Sequence, residues 1–175
     1  MTIDPAMHIQ LIGFMCAGKS RIGRALAPLL DLPFHDLDRV IEQRTGPIRP
    51  FFERYGDQAF RAEESRALHE VLSKPPSVIA MGGGTPCYGG NFMVMRKGGL
   101  MVWLDVPLEL LLSRIQRAGS DRPLLAGLTP DELRTYVTAL LAEREPVYMQ
   151  ADLRIQATDT PEEIAAAIAS RLQTR

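Results

Sequence analysis

The eight residues GFMCAGKS, Gly13 to Ser20, follow the apolar run HIQLI and precede the amphipathic stretch SRIGRALAPLL. Gly-x4-Gly-Lys-Ser between a strand and a helix is a phosphate-binding pattern. Glycines let backbone N–H groups wrap a phosphate, and the helix N-terminus adds positive potential. Lys19 can reach the outer phosphates, and the Ser20 hydroxyl can ligate Mg²⁺. A strand-to-helix turn with a nearby lysine would carry the same letters, but the flanking elements favour the phosphate loop. Gly13, Ala17, Gly18, Lys19, Ser20 and Arg21 are therefore the expected nucleotide-binding stretch, with Mg²⁺ beside the phosphates. Such a loop does not separate kinases from switches or motors. A guanine switch reads its base with Asn-Lys-x-Asp, whereas the one asparagine here, Asn91, sits in GGNFM.

A second constellation lies in FHDLDRVIE, where Asp36 and Asp38 stand two apart at the end of an apolar run. Alternation along a strand would turn both carboxylates to one face, beside the phosphate loop. One could organise Mg²⁺ while the other orients or deprotonates an acceptor hydroxyl. The simpler alternative is that Asp38 caps the following helix and Asp36 is a solvated strand end.

Positioning these groups requires a sheet. Apolar runs that read as buried strands occur at 9–13, 33–37, 77–81, 100–105 and 152–156, with helical patterns between them. Their continuous apolar character implies cover on both sides, hence a five-stranded parallel sheet in a three-layer α/β/α fold. TPDE (129–132) and TPEE (160–163) each place Thr at a helix N-cap, Pro at the first helical position and Glu at the third. Asp105, at the end of LMVWLD, is expected to cap the helix containing Pro107. IQRAGSDRPLLAGL reads as a mobile excursion.

The 175 residues, 46% hydrophobic and 23% charged, suit one domain over 1–175. A net charge of −1 argues against a nucleic-acid surface. The N-terminal MTIDPAMH lacks the features of a secretory signal, and no run approaches the roughly 18 apolar residues of a membrane span, so a cytoplasmic protein is expected. Two cysteines and three histidines suggest neither a disulfide framework nor a zinc site.

The ordered set GFMCAGKS, IGRALA, the Asp pair, IEQRTG, FRAEE (60–64), MGGGTP (81–86), DRPLLAG (121–127) and EREPVY (143–148) resembles the shikimate kinases over nearly the whole chain. The resemblance implies a nucleoside-monophosphate-kinase-like fold and ATP-dependent phosphorylation of the 3-hydroxyl of shikimate, on the route to chorismate and aromatic amino acids. It implies a monomer that binds shikimate and ATP, a lid at about 115–128, and acceptor-binding helices at about 38–72. Asp38, Arg61, Gly82, Gly83 and Arg144 become the expected acceptor set. The two arginines would meet the carboxylate with their planar forks; by themselves they would read as surface helix residues, since arginine supplies most of the chain's 20 basic residues.

Lys19, Asp38 and Arg122 become the expected catalytic residues, with Arg122 as the lid arginine on the ATP phosphates. Asp36 and Ser20 would hold Mg²⁺. Arg114 and Arg117 compete for the adenine-packing position, with preference for Arg114; Pro161 matches the other adenine neighbour, although a proline at the first helical position needs no ligand to explain it. The family commonly has glycine at Cys16 and Ser or Thr at Arg21. A thiol at position 16 either ionises readily under the helix N-terminus or simply fills the loop. Rival readings are another small-molecule kinase of this fold, such as a gluconate kinase, and a non-catalytic nucleotide-binding regulator.

Overall fold

The computed structural model describes residues 7–118, 125 and 127–173. Five strands, β1 (His8–Ile12), β2 (Phe34–Asp36), β3 (Val78–Ala80), β4 (Gly99–Asp105) and β5 (Leu153–Gln156), form one sheet in the order β2-β3-β1-β4-β5. Every neighbouring pair is parallel, with Ile9 opposite both Val78 and Leu100. Each strand matches its apolar run to within one residue at either end.

Helices α1 (Lys19–Leu29), α2 (Leu37–Thr45), α3 (Ile48–Leu72), α4 (Asn91–Gly98), α5 (Leu108–Arg117), α6 (Pro130–Tyr148) and α7 (Pro161–Gln173) cover both faces. On one face Ile9, Leu11, Val102 and Leu104 pack with Leu26 of α1, Ile115 of α5, Val137 of α6 and Ile168 of α7. On the other, Ile12, Ile79, Met101 and Trp103 pack with Ile41 of α2, Leu68 of α3 and Met95 of α4. All of β1 is buried, which explains why its side chains run largely apolar without alternation. The two polar exceptions are partnered, His8 with the Ser77 hydroxyl at 2.9 Å and Gln10 by donating to the Met95 carbonyl at 2.7 Å.

Helix starts divide into two kinds. Thr129 and Thr160 cap α6 and α7 as expected: each hydroxyl accepts from the third-position glutamate N–H at 3.3 Å, and each glutamate carboxylate accepts in return from the threonine N–H. The N-cap of α1 is Gly18, at φ 95°, with no side-chain cap. Its first N–H groups thus face the loop that precedes it, the condition for receiving an anion.

Two local expectations are corrected. Asp105 does not cap α5, whose N-cap is Pro107. Its Oδ2 accepts from Arg154 Nη2 at 2.7 Å and from Gln156 on β5, because the parallel register sets Asp105 directly opposite Gln156. Likewise, Asp36 and Asp38 do not share a strand face. β2 ends at Asp36, which is the N-cap of α2 and accepts from Asp38 N–H at 3.2 Å; Asp38 lies in the first helical turn. A strand-to-helix corner brings the two carboxylates together, and Asp36, not Asp38, is the cap.

Helix α1 can lie close to β2 because residue 23 is glycine. A Cβ there would stand 2.4 Å from Phe34 Cε2 and 3.3 Å from Leu11 Cδ1. Gly23→Ala is therefore expected to lower stability by about 1–3 kcal/mol through overpacking, despite alanine's better helix propensity. Chemical denaturation checks this; an unchanged or raised midpoint would contradict it.

Candidate active site

The parallel strands deliver their following loops to one edge, and there a cleft of about 820 Å³ opens. Lys19, Ser20 and Arg21 line it from the phosphate loop, Asp36 and Asp38 from the β2–α2 corner, and Arg61 and Glu64 from α3. Gly82–Gly84 after β3 and Arg144 from α6 complete the wall. Residues separated by more than a hundred positions in the chain thus share one space, with both proposed guanidinium clamps on the same side of the molecule.

In the phosphate loop, Lys19 Nζ donates to the Gly13 and Phe14 carbonyls at 2.8 Å each, so the lysine is folded across the loop. Gly13 has φ 140°, and a Cβ there would fall 2.7 Å from the Leu104 carbonyl oxygen. Its glycine is required by close approach to β4, a reason independent of phosphate. Cys16 stands at φ 60°, a conformation glycine adopts freely and other residues adopt at a cost. Cys16 thus places a side chain in a left-handed position, where it packs half-buried against the core, as a filler of the loop would.

The glycine triplet is a seam between the two halves of the cleft. A Cβ at Gly82 would fall 2.6 Å from Glu64 Oε1, and one at Gly84 2.8 Å from Arg61 Nη1. At Gly83 it would stand 3.3 Å from both Arg144 Nη1 and Met15 N of the phosphate loop. Bare backbone lets these groups lie against the triplet: a Cβ at Gly82 or Gly84 would displace the end of Glu64 or Arg61, and one at Gly83 would crowd Arg144 and the phosphate loop. The family resemblance implies Gly82 and Gly83; the packing adds Gly84, against which Arg61 lies.

Two supporting side chains were not singled out from sequence. Glu64, 1% exposed, accepts from Arg61 Nη1 at 2.9 Å and from the Thr85 hydroxyl at 2.7 Å. Its three-residue spacing from Arg61 on one helix was the available signal. Tyr148, fully buried, donates to the Gly83 carbonyl. Apolar walls come from Ile48, Phe52 and Phe60, which α3 presents by bending at Gly56, where φ is 79°. Arg144 lies over the Phe14 ring at 5.6 Å, joining clamp to phosphate loop.

Asp38 projects into the open cleft with protein packed around its walls. That partial desolvation, and next the neighbouring charge of Asp36, push its carboxyl from an ordinary 3.8 up to about 6; Glu64 and Glu42 add to the effect and Lys19 opposes it. At neutral pH it remains largely ionised but is a stronger base than a free carboxylate, the state needed to take a proton from a hydroxyl.

Arg114 donates to the Ala17 carbonyl at 3.4 Å and to the Ala157 carbonyl at 3.2 Å, bridging the phosphate loop and the turn that leads to Pro161. Arg117 is exposed on the last turn of α5. Pro161 occupies the first turn of α7, whose start needs no ligand to account for it. Arg122 and half of the expected lid lie outside the described residues.

Ser20 and Asp36 both face the cleft with hard oxygen donors. That suits Mg²⁺, which takes one or two protein oxygens together with phosphate and water. Among the described residues no helix is long and apolar enough to cross a membrane, and no cluster of three or more His, Cys, Asp or Glu side chains could hold a metal by itself.

The shikimate kinase family model matches residues 15–173. A shikimate kinase of Moorella thermoacetica is 41% identical over 169 residues, covering 95% of this chain and 92% of that one. The shikimate kinase of Acinetobacter baumannii, solved in complex with shikimate, superposes with a TM-score of 0.89 at 34% identity, covering 96% and 93% of the two chains. A gluconokinase from Sinorhizobium meliloti shares the fold, with a TM-score of 0.65, but only 19% identity over 97% of this chain and 95% of its own.

The raised pKa of Asp38 has a consequence for stability. Ionisation is harder in the folded cleft than in the unfolded chain. The stability linked to the protonated form is therefore fully present below about 3.8 and is lost as pH rises through about 6. At pH 7 the ionised carboxylate thus weighs against the fold, and Asp38→Asn is expected to unfold at the same temperature as the parent or higher. Thermal melts at pH 7 measure this; a clear fall in the midpoint would contradict the placement of Asp38.

Proposed function

This chain belongs to the shikimate kinase family, and from that premise we propose that it transfers the terminal phosphoryl group of ATP to the 3-hydroxyl of shikimate. The observation that carries the reading is the single cleft in which a phosphate loop, a carboxylate of raised basicity and two guanidinium groups converge. Gluconate kinases share the layered fold, but sequence likeness in this comparison lies with the shikimate kinases. A regulator without turnover would have no use for a basic carboxylate aimed into the acceptor side.

In the proposed reaction, backbone N–H groups of Gly13–Ser20 and the α1 N-terminus cradle the phosphates, and Lys19 leaves the loop carbonyls for the outer phosphate oxygens. Arg61 and Arg144 take the acceptor carboxylate, while Gly82 and Gly83 offer backbone to its ring. Asp38 accepts the hydroxyl proton as the new O–P bond forms and the bond to the ADP oxygen breaks. Ser20 and Asp36 would hold Mg²⁺, which supplies charge neutralisation at the phosphates. Arg21 flanks the nucleotide, and Arg114, bridging Ala17 and Ala157, is placed for the base better than Arg117. Arg122 would bring further positive charge from the lid. Catalysis then consists chiefly of placement and electrostatics. A single domain acting as a monomer in the cytoplasm suffices for this chemistry.

ADP release from MgATP is expected to depend on shikimate and to remain at background with gluconate; equal release without shikimate would overturn the reading. Asp38→Asn should bind nucleotide nearly as the parent does and lose turnover by about two to four orders of magnitude. Arg61→Lys should act mainly on acceptor binding, raising the KM for shikimate about tenfold or more. Steady-state kinetics with each substrate varied in turn distinguishes these effects.

A further inference from the structure

Tyr148, in the last turn of α6, is fully buried, and its hydroxyl donates to the Gly83 carbonyl at 2.5 Å. Its ring packs near Trp103, with centroids 6.1 Å apart. Four residues earlier on the same helix, the Arg144 guanidinium lies beside that hydroxyl, and burial keeps the phenol protonated far above neutral pH. A group that holds its proton so firmly is a fixed donor rather than an acid or base of the reaction.

Packing alone does not account for the hydroxyl. The aromatic cluster around Trp103 would accept phenylalanine, which fills nearly the same volume, and a buried hydroxyl is tolerated only where it is hydrogen-bonded. Its partner here is no ordinary core carbonyl. Gly83 is the point at which a Cβ would meet both Arg144 Nη1 and Met15 N, so it lies where the acceptor clamp touches the phosphate loop. The hydroxyl also has a counterpart on the other side of the triplet. There Glu64 holds Arg61 and, through Thr85, the far end of the same segment, and Asn91 grips the Thr85 carbonyl at 3.0 Å. Buried polar side chains from three helices thus fix one stretch of backbone.

Resting on the phosphotransfer reading above, we propose that Tyr148 is a positioning residue for the acceptor: its hydroxyl fixes the Gly83 peptide and steadies the Arg144 guanidinium beside it. Without that bond the Gly83 peptide regains rotational freedom, and shikimate binding must re-order it. The phosphate loop touches Gly83 at Met15 but is also held at both ends by β1 and α1, so the loss falls chiefly on the acceptor.

The test is Tyr148→Phe, which removes one oxygen and keeps the ring. The expected result is a KM for shikimate raised about tenfold, the loss typical of one hydrogen bond in a charged site. The KM for MgATP should stay within about twofold of the parent and kcat should fall less than the shikimate KM rises, since the hydroxyl touches no reacting atom. Trp103→Phe serves as the control for general weakening of the same core: its unfolding midpoint should fall while its shikimate KM stays at the parent value. In the double variant with Arg144→Lys, the loss should be smaller than the product of the two single losses. An unchanged shikimate KM in Tyr148→Phe, an equal rise in Trp103→Phe, or fully multiplicative losses in the double variant would each overturn the proposal. A parent enzyme that forms no ADP with shikimate would instead overturn the phosphotransfer reading itself.

Discussion

Everything in the cleft depends on one geometric constraint: all five strands point the same way. In a parallel sheet the carboxyl ends lie along one edge, so whatever follows β1, β2 and β3 is delivered to neighbouring positions there. The order β2-β3-β1 sets the glycine triplet after β3 between the Asp36–Asp38 corner and the phosphate loop. Donor and acceptor chemistry therefore meet at the triplet. β4 ends at the same edge, but Asp105 is committed to Arg154 and Gln156 on β5, which removes it from the metal-organising role that its position would otherwise suggest.

The cleft walls also balance charge at close range. Lys19, Arg21, Arg49, Arg61 and Arg144 line the cleft with Asp36, Asp38, Glu42 and Glu64, and the balance is uneven from place to place. Glu64 is paired directly with Arg61, so the guanidinium is oriented before any ligand arrives. Asp38, crowded by other carboxylates and opposed, among the described cations, chiefly by Lys19, carries the raised basicity. A clamp ordered in advance and a base kept reactive are two outcomes of one arrangement, since Glu64 both pairs with Arg61 and adds to the negative charge felt by Asp38.

Much of this was legible in the sequence because the signals were local. Continuous apolar runs located five strands, and the paired Thr-Pro-x-Glu segments located two helix starts. Gly-x4-Gly-Lys-Ser located the phosphate loop. What stayed hidden depends on distance in the chain. Gly13 is fixed by the Leu104 carbonyl of another strand. Glu64 and Tyr148 act through Thr85 and Gly83, residues whose proximity no periodicity discloses. The Asp pair was visible but its geometry was not, because a strand that ends at Asp36 looks in sequence like one that continues to Asp38. Asp105 misled for the opposite reason: local cap chemistry was plausible, and the cross-strand partner that prevailed lies 49 residues away.

The most direct test is a crystal structure with shikimate and a non-hydrolysable ATP analogue bound together. The shikimate carboxylate is expected between Arg61 and Arg144, with the 3-hydroxyl about 3 Å from the Asp38 carboxylate and facing the terminal phosphate. Shikimate bound with its carboxylate outside the two arginines, or with that hydroxyl turned from Asp38, would contradict it.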